Sequence, residues 1–313
     1  MKRLSSITLL ALSTLLATFA DAAAAAVTVN YRDTGVGAPV LLIPGLSGCA
    51  HGWRGVVPRL EAAGLRVIVV EPLGVGASPR PEGADYSLTA QADRFAALLD
   101  SLRVGPAVVV AHGVSVSMAL RLAGRRPDLV RAIVALEGGP AESAASPALS
   151  SALGKAKLAS KLLGMGFVRG RFRGSLEASS GNCDWLDDAT LQAYLAGPAA
   201  DFGAAARAFR AMAQSVEPDS LVPRLPQIAC RVSLLIGGAP HAGALPEDQF
   251  NAMLRGLRRL TVEKVDGAGH FLHEERPEIV AAEAVAVARA TASACDAYAL
   301  GAGPRGVAPA VGR

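Results

Sequence analysis

"VVVAHGVSVSMALRLAGRRPDLV", residues Val108–Val130, is the stretch on which the fold reading turns. Its first residues are a continuous apolar run of the kind that forms a buried strand. From Val116 to Arg125 the apolar residues return at helical spacing. Between the two lie only small residues and one histidine. A strand that passes into a helix through so short a turn leaves the turn's central residue at the tip of the sheet. Two residues compete for that position, Gly113 and Ser115.

Working outward, the same strand–helix alternation repeats. "VTVNYRD" alternates like an edge strand. "PVLLIPG", "LRVIVVEP", "GPAVVVAHG", "RAIVALEGG", "CRVSLLIGG" and "LTVEKVDG" are short, mostly apolar runs. Such runs read as central strands covered on both faces. Helical periodicity marks Ser87–Leu102, which opens on a serine cap, then Val116–Arg125, Glu247–Leu257 and Pro277–Ala292. This alternation predicts an α/β fold with a mostly parallel, doubly wound sheet. Residues 141–226 break the pattern. They hold helical stretches and Gly-rich joints but no good strand, and they lie between the strands ending at Glu137 and Gly238. A helical lid over the carboxyl ends of the strands is the expectation. The domain reading is therefore 27–140 with 227–297 as core, 141–226 as lid, and 298–313 as a disordered Gly/Ala/Pro-rich tail.

The first 26 residues read as a secretory signal followed by a small-residue linker. Lys2 and Arg3 precede an apolar run, Ile7–Phe19, and Ala20-Asp21-Ala22 forms a cleavage pattern. The run is too short for an ordinary membrane span. The expectation is an exported protein, periplasmic or secreted, without a stable span. Cleavage after Ala22 would remove two of 31 basic and one of 27 acidic residues, leaving a net charge of +3. So small a charge excludes an obvious role in binding nucleic acid. Six basic residues lie between Lys155 and Arg173, read as a solvated helix face. Cys49, Cys183, Cys230 and Cys295 allow three pairings, and no spacing among them suits a structural metal.

The order of motifs resembles the α/β-hydrolase superfamily, in its lid-containing form, over roughly Val27–Ala292. "LLIPGLSG" is similar to its oxyanion loop, "EPLGVGASPRP" to the loop after the next strand, and "VVVAHGVSVSMAL" to its nucleophile elbow. "RRPDLVRAIVALEGG" resembles the segment after the elbow, and "DGAGHFLHEERPEIV" the histidine loop with the final helix. The resemblance implies that His270 is a general base. It implies an acid to orient that base. The usual acid position carries His241, but some members place the acid where Glu137 stands. Glu71 is a second, weaker candidate. Both flanks of the elbow align without a gap, which puts Gly113 at the nucleophile position. The frame Gly113-Val114-Ser115-Val116-Ser117 offers Ser115 instead, if the turn slides by two residues. The oxyanion donors would be the backbone N–H groups of Leu46 and Val114, or of Leu46 and Val116 in the shifted frame.

Three functions remain open on this reading. One is a hydrolase of small esters, lactones or related acyl compounds, using Ser115 or an activated water. The second is a catalytically silent fold that binds a small apolar ligand under the lid, where Trp185 and Tyr194 offer aromatic surface. The third is a cofactor-free lyase or oxygenase-like enzyme with His270 as base. No cofactor is expected. No metal is expected either, because His241 and His270 alone lack a third ligand.

Overall fold

A computed structural model describes residues 29–144 and 166–299. The expected leader (1–26), the basic residues Lys155–Lys161 and the segment beyond residue 299 lie outside the described residues. Seven strands form one sheet: β1 (Tyr31–Thr34), β2 (Ala38–Ile43), β3 (Leu65–Val70), β4 (Ala107–His112), β5 (Val130–Leu136), β6 (Arg231–Gly237) and β7 (Leu260–Val265). Their spatial order is β1-β3-β2-β4-β5-β6-β7, with only β1 antiparallel to its neighbour. The apolar runs explain this: Val108, Val109, Val110 and Ala111 are buried on both faces of β4. The edge strands β1 and β7 are largely exposed and carry polar residues.

Between the strands run α1 (Val57–Ala62), α2 (Leu88–Ser101), α3 (Ser115–Arg125), α7 (Glu247–Gly256), α8 (Leu272–Glu275) and α9 (Pro277–Ala299). The serine expected to cap α2 does so, Ser87 Oγ accepting from Ala90 N at 3.1 Å. Helix α9 runs seven residues past the expected Ala292, and two residues into the segment read as tail. Its small, Ala-rich composition favours continued helix. Trp53, Leu60, Val134 and Val280 belong to the core on one face of the sheet; Leu41, Phe95, Met118 and Ile133 belong to the core on the other.

Between β5 and β6 the described residues contain only helix: α4 (helical to residue 178), α5 (Asp188–Ala200) and α6 (Phe202–Gln214), with a 3-10 turn at Val222–Gln227. Asp187 and Asp201 cap α5 and α6 through Thr190 N and Ala204 N. A cluster of Leu176, Trp185, Leu186, Leu191 and Tyr194 joins this segment to Cys49 and Phe271 of the core. Arg54 and Tyr194 both bond Glu274, at 2.6 and 2.8 Å, which ties the segment to α8. No helix among the described residues is long and apolar enough to cross a membrane. Cys49, Cys183 and Cys230 are free thiols.

The chain leaves β2 for β3 on one side and β4 returns on the other, so a topological switch lies between β2 and β4. Open α/β sheets form their ligand crevice there, beyond the carboxyl ends of the strands. The register aligns those ends: Ile43 with Ala111, His112 with Leu136, Leu136 with Leu235, and Gly237 with Val265. The residues that follow each strand therefore meet at one edge of the sheet.

Candidate active site

Five such loops build the site: Pro44–Leu46 after β2, Gly113 after β4, Glu137 after β5, Gly238–Leu245 after β6 and Asp266–His270 after β7. The sharp turn is centred on Gly113, with φ at +58°, and α3 begins two residues later at Ser115. Glycine accepts this left-handed backbone without steric cost. Its carbonyl lies against Gly138, where a methyl group would collide with it, so the two glycines hold the elbow to the end of β5. A Cβ built on Gly113 would stand 3.7 Å from His270 Nε2 and 3.8 Å from its Cε1. The side-chain direction at the turn thus points to the imidazole edge.

Ser115 is elsewhere. It is fully buried in the first turn of α3, and its Oγ donates to the Pro44 carbonyl at 2.7 Å. That bond staples the elbow to the loop after β2. Ser117 is used in the same way, donating to the Ala141 carbonyl at 2.6 Å. Leu46 N and Val114 N each donate no hydrogen bond among the described residues. Gly45 makes room for this loop, since a Cβ there would come within 2.8 Å of His112 Nδ1.

His270 is held by a cage of loops. Its N–H donates to Ser179 O at 2.8 Å, and its carbonyl accepts from His112 Nε2 at 2.9 Å. Because a carbonyl can only accept, His112 carries its proton on Nε2. Glu275 anchors the loop from below, one oxygen accepting from Gly181 N, Asn182 N and Gly269 N at 2.9–3.0 Å. Burial, reinforced by the rings of His112 and His241, holds His270 well below the ordinary imidazole range, so it is neutral. His112 is depressed by burial and by His273, and His273 is pushed down to about 3, again chiefly by burial.

Glu137 is buried and sits in the left-handed region, at φ +46°, a costly conformation for a residue with a side chain. Its carboxylate accepts from Gly237 N in a very short bond and from Leu245 N at 3.1 Å. Burial nevertheless raises it above the usual carboxylate range. Across from it, His241 Nε2 is 3.5 Å from Glu137 Oε2. His241 Nδ1 donates to Ala239 O at 2.7 Å. Ligand-type atoms of Glu137, His241 and His270 all lie within 4.8 Å of one another. Glu71 is committed elsewhere: its oxygens accept from Asn30 Nδ2, Ala50 N and Ala77 N, each at 2.7 Å. Trp185 and Tyr194 are buried in the helical segment's own core, with ring centres 5.9 Å apart.

The loops thus bring a strand-tip turn at Gly113, two backbone N–H groups without a partner among the described residues and a caged histidine to the switch point of a doubly wound sheet. Residues 40–283 match the Alpha/beta hydrolase family, and the chain belongs to it. A relative, 2-hydroxymuconate semialdehyde hydrolase of Pseudomonas sp. (strain CF600), is 37% identical over 115 residues, 36% of this chain and 40% of that protein. The chain thus aligns with about two fifths of the length of the curated relatives it matches. Among solved structures, the epoxide hydrolase CorEH is 20% identical with a TM-score of 0.68, over 83% of this chain and 94% of that one. A thermophilic esterase from Thermogutta terrifontis is 22% identical with a TM-score of 0.66, over 84% and 93%. These two likenesses are of fold.

The cage around His270 was not legible as such in the sequence. His112 and Glu275 carry it, and only the flanking glycines, Gly267 and Gly269, signalled a tightly packed loop.

Proposed function

We propose that this protein is an exported hydrolase of small ester, lactone or related acyl substrates that attacks with water instead of a side chain. His270 is the general base, Glu137 supplies the negative charge behind it, and Leu46 N and Val114 N receive the developing oxyanion. The observation that carries the reading is the aim of His270 Nε2 at the point where a Gly113 side chain would begin. Glycine leaves room there for water beside a neutral imidazole, which can accept its proton. Leu46 N and Val114 N donate no hydrogen bond among the described residues, which leaves both free for charge that forms only in the transition state. The names of the curated relatives, hydrolases of small molecules, support the same class. Ser115 loses support as nucleophile, because its hydroxyl is spent on Pro44. The helices between β5 and β6 serve as the lid, a reading supported by their apolar docking against Phe271 beside His270. Export rests on the leader-like features of residues 1–26.

Turnover of p-nitrophenyl esters and of small lactones tests this. His270→Ala is expected to lower kcat by at least about 100-fold, the lower end of general-base contributions. Unchanged turnover in that variant would refute the base. Glycine at the turn also favours a second reading, a cofactor-free lyase that uses the same base. Product analysis in ¹⁸O-water separates them, since hydrolysis alone places solvent oxygen in the acid product.

A further inference from the structure

The loop after β6 gathers Glu137, His241 and His270 around one small volume, their ligand-type atoms all within 4.8 Å of one another. His241 Nδ1 donates to the Ala239 carbonyl, so in the neutral ring Nε2 carries a lone pair. That lone pair faces Glu137 Oε2, itself an acceptor, at 3.5 Å. His270 Nδ1 is buried on the same side, and neither it nor His241 Nε2 makes a hydrogen bond. Unpaired buried ring nitrogens are costly unless a partner lies between them, and a cation there would be met by the carboxylate and by a lone pair from each imidazole.

We propose that Glu137, His241 and His270 form a binding site for a first-row divalent cation of the zinc class, on the side of His270 away from Gly113. The donor set is right: two imidazole nitrogens and a carboxylate oxygen suit such ions and leave a position open for water. The outer partners are right as well. His241 is oriented through its other nitrogen by a backbone carbonyl, and Glu137 by Gly237 N and Leu245 N. Ligand distances of about 2.0–2.1 Å put ligand atoms about 3.4 Å apart. The cluster, now within 4.8 Å, has to contract by up to about 1.4 Å. The exposed turn at Ala242–Gly243, where Gly243 has φ +82°, gives the loop bearing His241 that freedom.

Occupation has a consequence that rests on the reading of His270 as base. An ion on Nδ1 leaves the proton on Nε2, the nitrogen that faces Gly113. The imidazole then cannot accept a proton from water, and the ion acts as a reversible inhibitor.

The test uses the purified, EDTA-treated, tag-free chain titrated with ZnCl₂ by calorimetry, with CoCl₂ absorption as a second probe of ligand geometry. One saturable site is expected. His241→Ala should weaken it by at least about 100-fold, beyond the 10–100-fold cost of losing an outer partner. His51→Ala, which alters an exposed histidine outside the cluster, should leave it unchanged. No saturable site, or a site indifferent to His241→Ala in a variant whose circular dichroism matches the native chain, overturns the proposal. Ester turnover is the separate readout: zinc should inhibit the native chain and spare His241→Ala. Binding lost with His241 but no inhibition of turnover overturns the inhibitory role. A chain with no turnover at all bears on the hydrolase reading and leaves calorimetry to decide the site.

Discussion

Replacing Gly113 by serine should create a side-chain nucleophile. The direction is favourable, because a Cβ on Gly113 lies at ordinary contact distance from His270, 3.7 Å from Nε2. A hydroxyl one bond further reaches the roughly 2.6–3.2 Å range of a nucleophile–base pair. The cost is conformational. Residue 113 has φ +58°, where a non-glycine residue loses about 1–2 kcal/mol. For a chain of this size that lowers Tm by roughly 2–6 °C. The gain is catalytic. Triad knock-outs lose up to about 10⁶ in kcat, which sets the ceiling, and a gain of at least about 100-fold in ester turnover is expected. A fluorophosphonate probe read by intact mass checks the chemistry. Gly113→Ser should take up one adduct; the native chain and Gly113→Ser with His270→Ala should take up none. A folded Gly113→Ser that forms no adduct, or an adduct on the native chain at Ser115, would refute the reasoning about the elbow.

Other expectations follow from the same contacts. His270 lies below the ordinary imidazole range, so it stays an unprotonated base as pH falls through 6.5; the acid limb of kcat/KM should lie below that pH, and a limb above it would contradict the burial argument. His273 is buried neutral with a pKa of about 3, so unfolding below pH 6.5 takes up a proton there. Stability is therefore lost as pH falls from 6.5 toward 3, by about 1.4 kcal/mol per unit for this residue, and urea titrations of His273→Phe should show a shallower decline. Arg121 is buried and faces the buried Glu217 at 3.6 Å and the part-exposed Glu142 and Asp219; Arg121→Ala should cost about 1–3 kcal/mol by denaturation, whereas an unchanged stability would show the cluster to be solvated. Expression with the full leader, followed by fractionation and mass of the mature chain, should give an extracytoplasmic product starting near Ala23; a cytoplasmic chain of full mass would refute export.

The sheet was legible because each parallel strand is written as a run of apolar residues between turn signals, and burial on both faces demands that run. The elbow was legible down to two residues, and what separated them was not in the local pattern. Gly113 and Ser115 both sit in a small-residue frame. The choice depends on where the chain turns, fixed by partners far away: Gly138 against the Gly113 carbonyl, and Pro44 accepting from Ser115. The histidine pair shows the same limit from the other side. Sequence spacing gave His241 no third ligand, because Glu137 lies 104 positions earlier in the chain. The sheet register supplies the missing neighbour by pairing Leu136 with Leu235, so that the ends of β5 and β6 open onto one loop cluster. A motif confined to one loop is readable in the sequence. Chemistry shared between loops, such as the buried acceptors of Glu137, His241 and His270, exists only once parallel strands have aligned their ends.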